Sequence, residues 1–131
     1  MKKFCSVLLI IVVLFSLSAC GGPPDGMSDE VYDLGNQALR LMEDYHAGKI
    51  SAENVKAPLE SIRGRLQSIS KRDKGVQTGS KYSMNNDQYA FNMSIHISSF
   101  LYKLDFMDSV IPVFDDDTYD AYNKLKDILN K

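Results

Sequence analysis

The chain has 131 residues, with no tryptophan, two cysteines and two histidines. Each scarcity excludes something. Two cysteines cannot form the multi-bridge framework of small secreted scaffolds or a four-cysteine zinc site. Two imidazoles, His46 and His96, cannot form a histidine-rich metal cage. No serine sits in G-x-S-x-G, and there is neither a G-x-G-x-x-G nor a phosphate loop. The local signatures of α/β-hydrolases, dinucleotide binders and P-loop enzymes are therefore missing. Long apolar runs are also missing, with one exception at the N-terminus.

That exception concentrates the hydrophobicity. Residues 1–19 hold 14 apolar residues, so the 44% hydrophobic composition blends two unlike parts. Lys2 and Lys3 come first, then an unbroken apolar run from Val7 to Leu14, continued by Phe15 and Leu17. This fits the core of an export signal and is short of the roughly 20 residues that span a bilayer. The run ends in Leu17-Ser18-Ala19-Cys20, followed by Gly21-Gly22. An apolar residue, two small residues and a cysteine form a lipobox, and this N-terminus resembles that of bacterial lipoprotein precursors.

The resemblance covers about the first 20 residues. It implies a diacylglyceryl group on the thiol of Cys20, cleavage between Ala19 and Cys20 by signal peptidase II, and a protein held at the extracytoplasmic face of a cell membrane. One acyl chain anchors marginally, and two or more anchor stably. Cys5 would leave with the signal. The mature chain would then have no pair of cysteines to join, even in an oxidising compartment. Three parts are expected: a signal peptide at 1–19, a lipidated cysteine and Gly/Pro tether at 20–27, and a folded domain at 28–131. Eight extended residues reach about 25 Å, which keeps the domain close to the membrane.

The domain reads as helical. Ser28 is a candidate N-cap, with Asp29 and Glu30 in the first turn, where the helix dipole favours acids. Val31, Leu34, Ala38, Leu41 and Tyr45 then form one apolar stripe, and Gly48 supplies a stop. Ser51 opens a second helix along Val55, Leu59, Ile62, Leu66 and Ile69. Pro58 falls within it and predicts a kink, or a helix that starts near the proline. Residues 73–85 are polar, contain two glycines and read as a loop.

The third segment, 86–108, carries two signals. Ala90, Met93, Ile97, Phe100, Leu104 and Met107 fit a helical stripe. Tyr89, Phe91, Met93, Ile95 and Ile97 alternate as a strand would, with Asn85-Asn86-Asp87 as a hairpin turn. Helix is preferred, because the helical spacing continues past Ile97. Such a helix is apolar nearly all round and is expected to be the most buried. A fourth helix spans 116–130, with Asp115 as N-cap, a Phe114–Tyr119 staple and an inner face of Tyr122, Leu125 and Leu129. The expected fold is all-α, a small antiparallel four-helix bundle, with α+β around a hairpin at 81–97 as the alternative.

Charge is segregated. Residues 20–48 carry a net −5, residues 49–81 a net +5 and residues 82–131 a net −4. The simplest reading pairs the basic second helix with the acidic first and fourth helices through weak surface bridges. The sharper one turns Arg63, Arg65, Lys71, Arg72, Lys74 and Lys81 toward anionic lipid or an acidic envelope polymer. Nucleic acid is not an expected partner for an exported chain of net negative charge.

Other candidates are weaker. Asp115, Asp116, Asp117 and Asp120 are rich in oxygen, but read as an EF-hand loop the run places Asp120 where glycine is required and Lys126 where an acid is required. His46 suits the cation-favouring end of the first helix, and His96 lies between two isoleucines. The seven tyrosines are read as completing a core without tryptophan. The alternative is a surface patch of Phe91, Ile95, Tyr102 and Phe106. The expectation is a lipid-anchored binding or interaction module for a protein or envelope partner. It would not be an enzyme and would carry no metal or cofactor beyond the lipid on Cys20. A small-molecule binder, an envelope hydrolase, or a lipid-anchored blocker of phage entry or of a neighbour's toxin are the alternatives.

Overall fold

In a computed structural model the described residues are 21–107 and 117–131. They form helices α1 (Asp29–His46), α2 (Ala52–Arg72), α3 (Asn86–Met107) and α4 (Asp117–Ile128). No strand occurs among the described residues. The hairpin alternative at 81–97 therefore falls, since Tyr89 to Ile97 lie inside α3. The signal segment, Cys20, the Phe114–Tyr119 staple and the Asp115 cap lie wholly or partly outside the described residues.

Local signals place the first two helices. The Ser28 hydroxyl accepts from the Val31 N–H at 3.2 Å, and Ser51 accepts from the Asn54 N–H at 3.3 Å. α1 ends where Gly48 takes φ +71°. The Lys49 N–H then donates to the Asp44 carbonyl and the Gly48 N–H to that of Tyr45, closing a Schellman turn. α2 runs unbroken from Ala52 through Pro58, so the expected start near the proline is corrected. The Ser51 cap sets the start, and a proline in the second turn removes only one intrahelical bond.

The helices run up, down, up and down. α3 packs against all three others, α1 also touches α2 and α4, and α2 and α4 lie across the diagonal without contact. Val31, Leu34, Leu59, Leu66, Met93, Ile97, Phe100, Leu104 and Leu125 are among the fully buried side chains. Gly35 leaves room for its neighbours: a Cβ there would stand 2.7 Å from the Met93 sulfur and 2.9 Å from Leu129. No helix among the described residues is long and apolar enough to cross a membrane.

The segment read as a tether enters the fold. Met27 is buried in the core. The Asp25 carboxylate accepts from the Ser80 N–H at 2.9 Å and the Ser83 hydroxyl at 2.6 Å. The Gly26 carbonyl accepts from the Thr78 hydroxyl at 2.7 Å. Gly26 has φ +88°, and a Cβ on it would collide with the Met84 carbonyl, so the 73–85 loop closes on a position that only glycine fills without strain.

Candidate functional site

The helices leave two unlike ends and one unusual face. The near end holds the start of α1, the 73–85 loop, the start of α3 and the end of α4. Its centre is Asn86, 3% exposed. The Asn86 side-chain oxygen accepts from the Ser28 N–H at 2.8 Å, and its nitrogen donates to Asp73 at 2.7 Å. The Asn86 N–H donates to the Thr78 hydroxyl. Asn85 caps α3 in an unusual way. Its N–H is held by the Gln88 side chain at 2.8 Å, while its own oxygen turns back to the Thr78 and Gly79 N–H groups. The run read as a hairpin turn is thus a helix start. Gln88, three residues after Asn85, is the capping-box signal that marks it.

The far end is aromatic. The His46 ring stacks on Tyr119 at 3.9 Å and 6°. Phe100 meets the edges of Tyr45 and His46, and Tyr122 meets that of His46. A nitrogen of His46 lies 3.1 Å from the Thr118 hydroxyl. The Tyr122 hydroxyl donates to Glu43 at 3.0 Å, and its pKa is raised by burial and by that acid. His96 stands apart from this stack. Burial pushes its pKa down, Lys124 adds to the shift, and Asp120 opposes it. Among the described residues no group of three or more acids, histidines or cysteines stands ready for a metal ion.

The six cations singled out along the sequence do not share one face. Arg65 and Arg72 lie toward α1 and both approach Glu30, at 3.7 and 3.5 Å. Arg72 also grips Asp73 at 2.7 Å, which raises the pKa of Arg72 and lowers that of Asp73. Arg63 is half-buried, with its Nε lacking a hydrogen-bond partner. Lys71, Lys74 and Lys81 project from the near end. On the far half of α2, Lys56 reaches Asp105 of α3 at 2.9 Å. The basic helix therefore pairs with α1 and α3. The expected pairing with α4 is corrected, because those helices lie diagonally apart.

Between α1 and α2 run two adjoining open hollows of about 420 and 530 Å³ that share Ser61 and Arg65. Ile62 and Ile69 contribute apolar lining, and Arg40, Arg65 and Arg72 bring charge.

The unusual face belongs to α3. Ala90, Met93, Ile97, Phe100 and Leu104 are buried as expected, and Tyr89 and Leu101 are buried with them. Phe91, Ile95, Tyr102 and Phe106 are exposed by 54, 45, 68 and 57%, which decides against their serving as core. Their spacing of four, seven and four residues aligns them along the helix. The rings of Tyr102 and Phe106 stack 6.4 Å apart. The tyrosines divide: Tyr89 is buried, Tyr32, Tyr45 and Tyr122 are half-buried, and Tyr82, Tyr102 and Tyr119 are exposed. No protein-family model matches the chain, and no curated protein or solved structure matches it either.

Proposed function

We propose that the protein is a lipid-anchored bacterial envelope lipoprotein whose helical bundle is an interaction module for a protein partner at the outer face of the membrane. The anchor reading rests on Lys2, Lys3, the apolar run and the lipobox ending in Cys20. The interaction reading rests on one observation, the exposed stripe of Phe91, Ile95, Tyr102 and Phe106. Four large apolar side chains in a row along one helix leave apolar area in water that a partner would cover. A partner groove fits a helix presenting anchors at such spacing. The reading is one of binding, with no catalysis, metal or cofactor. The stacked setting of His46 and the position of His96 beside Lys124 and Asp120 offer no acid–base arrangement that calls for another.

Photo-cross-linking in native membranes tests it. A photoreactive residue at Ile95 or Tyr102 should give a discrete adduct, and one at exposed Gln67 on α2 should not. Combining the probe with Phe106→Ser should abolish the adduct. An adduct of twice the chain's own mass would identify a second copy as the partner. Equal adducts from Gln67 and Tyr102, or none from the stripe, would sink the interaction reading. Cys20→Ser separately tests the anchor: processing and membrane retention should both be lost.

A further inference from the structure

The topology places the residues around the 73–85 loop beside the chain's route to Cys20. Tyr32 donates its hydroxyl to the Gly21 carbonyl at 2.7 Å, so the residue next to Cys20 is held against α1. Four residues on, Asp25 and Gly26 are stitched to Thr78, Ser80 and Ser83. The Lys131 ammonium stands over the Tyr32 ring at 5.5 Å. A lipid on Cys20 would therefore bring this end of the bundle to the bilayer, with no long spacer between them.

The chemistry of that end suits such a surface. Residues 71–82 carry four cations and one acid. The acid, Asp73, is engaged by Arg72 and Asn86. Asp25 faces the two serines, and Glu30 lies between Arg65 and Arg72. Lys71, Lys74 and Lys81 are exposed and have no ion pair among the described residues. Beside them Tyr82 is 92% exposed and Val76 52% exposed. Outward lysines flanking an exposed tyrosine match an anionic headgroup layer, where cations meet phosphate and tyrosine rings settle at the boundary. Of the acids at this end, Asp73 and Asp87 are half-buried and Asp25, Asp29 and Glu30 are exposed, with Asp25, Glu30 and Asp73 each engaged by a partner, whereas the three lysines are exposed without an ion pair among the described residues.

We propose that the 71–82 surface is the face the protein lays on an anionic bilayer, with Lys71, Lys74 and Lys81 on headgroups and Tyr82 and Val76 in the interfacial layer. The proposal rests on the lipid-anchor reading. It fixes the orientation: α3 starts on the membrane side and runs away from it, and Phe106 lies at the far end of its stripe. A 22-residue helix is about 33 Å long, so the two ends of α3 sit at very different heights.

The absence of native tryptophan makes the test direct. The protein purified from bacterial membranes is reconstituted in vesicles of brominated phosphatidylcholine, with or without phosphatidylglycerol. Tryptophan emission is read for Tyr82→Trp, for Val76→Trp as a second reporter, and for Phe106→Trp at the far end. The first two should be quenched several-fold more than the third, and more strongly when phosphatidylglycerol is present. Intact mass of the same preparation reports the lipid on Cys20. A chain of unlipidated mass would refute the anchor alone. The face is then read by sedimenting that chain with phosphatidylglycerol vesicles, where each of Lys71→Gln, Lys74→Gln and Lys81→Gln should lower binding about fivefold. Quenching at Phe106→Trp equal to or above that at Tyr82→Trp in the lipidated protein overturns the proposal, as does sedimentation indifferent to the three lysines.

Discussion

The two ends of the bundle are held by different forces. At the near end a connected set of hydrogen bonds runs through Asp25, Thr78, Asn85, Asn86 and Asp73. At the far end rings do the holding, with His46 on Tyr119 and Phe100 edge-on to Tyr45. A polar network demands that each partner be present, because an unpaired buried group costs more than a made bond returns. A ring cluster is non-directional by comparison, and its loss is felt mainly as lost area and a cavity. The near end should therefore be precise and sensitive to chemistry. The far end should be sensitive to volume.

The largest expected effect tests the far end. Phe100 is fully buried, and Phe100→Ala should destabilise the protein by about 4 kcal/mol in urea unfolding. Phe100→Leu should recover more than half of that, as a volume effect requires. A Phe100→Leu variant as unstable as Phe100→Ala would mean that ring geometry, more than volume, holds this end. The next effect tests the near end. Asn86→Ala strands the Ser28 N–H and leaves Asp73 Oδ2 with Arg72 as its one remaining side-chain donor among the described residues, and should cost about 2 kcal/mol. Asn86→Leu, which is close in volume, should recover nothing. If it did recover stability, the near end would be packed and not bonded, and the contrast between the ends would collapse.

The same contrast explains what the sequence discloses. The helices were legible because their signals are local: the spacing of Val31, Leu34 and Ala38, the serines that cap, and the glycine at position 48. Pro58 misled because its backbone cost is local and the buried stripe of Val55, Leu59 and Ile62 outweighs it. The near-end network was not legible. Ser28 meets Asn86, and Asp25 meets Ser83, each across 58 residues, and no periodicity encodes a polar pair at that range. The stripe on α3 was half legible. An apolar pattern on all sides says that a helix has much to bury, but which side stays uncovered depends on where three neighbours stand. Only the fold shows that Phe91 and Phe106 stay largely exposed, whereas Phe100 is enclosed. The charge blocks were legible as blocks, yet the direction of each arginine was not, since Glu30 takes up both Arg65 and Arg72.

The smallest expected effect separates the two ends by pH. The Asp25 carboxyl lies below its ordinary value, first because the Ser83 hydroxyl donates to it and then because the Ser80 N–H does. A folded-state pKa below the unfolded one gives stability that is complete above the ordinary carboxylate range and is lost as pH falls through the lowered value. The Ser80 amide resonance should therefore titrate with a midpoint below 3.8, and it should lose that step in Asp25→Asn. At the far end the matching contact, between the Thr118 hydroxyl and the His46 ring at 3.1 Å, involves no carboxylate. A Ser80 midpoint at or above 3.8 would mean that the serines do not hold the carboxylate. The link from the Cys20 segment to the 73–85 loop would then rest on the Thr78–Gly26 bond and the burial of Met27, and the near end would be hinged where it is now described as locked.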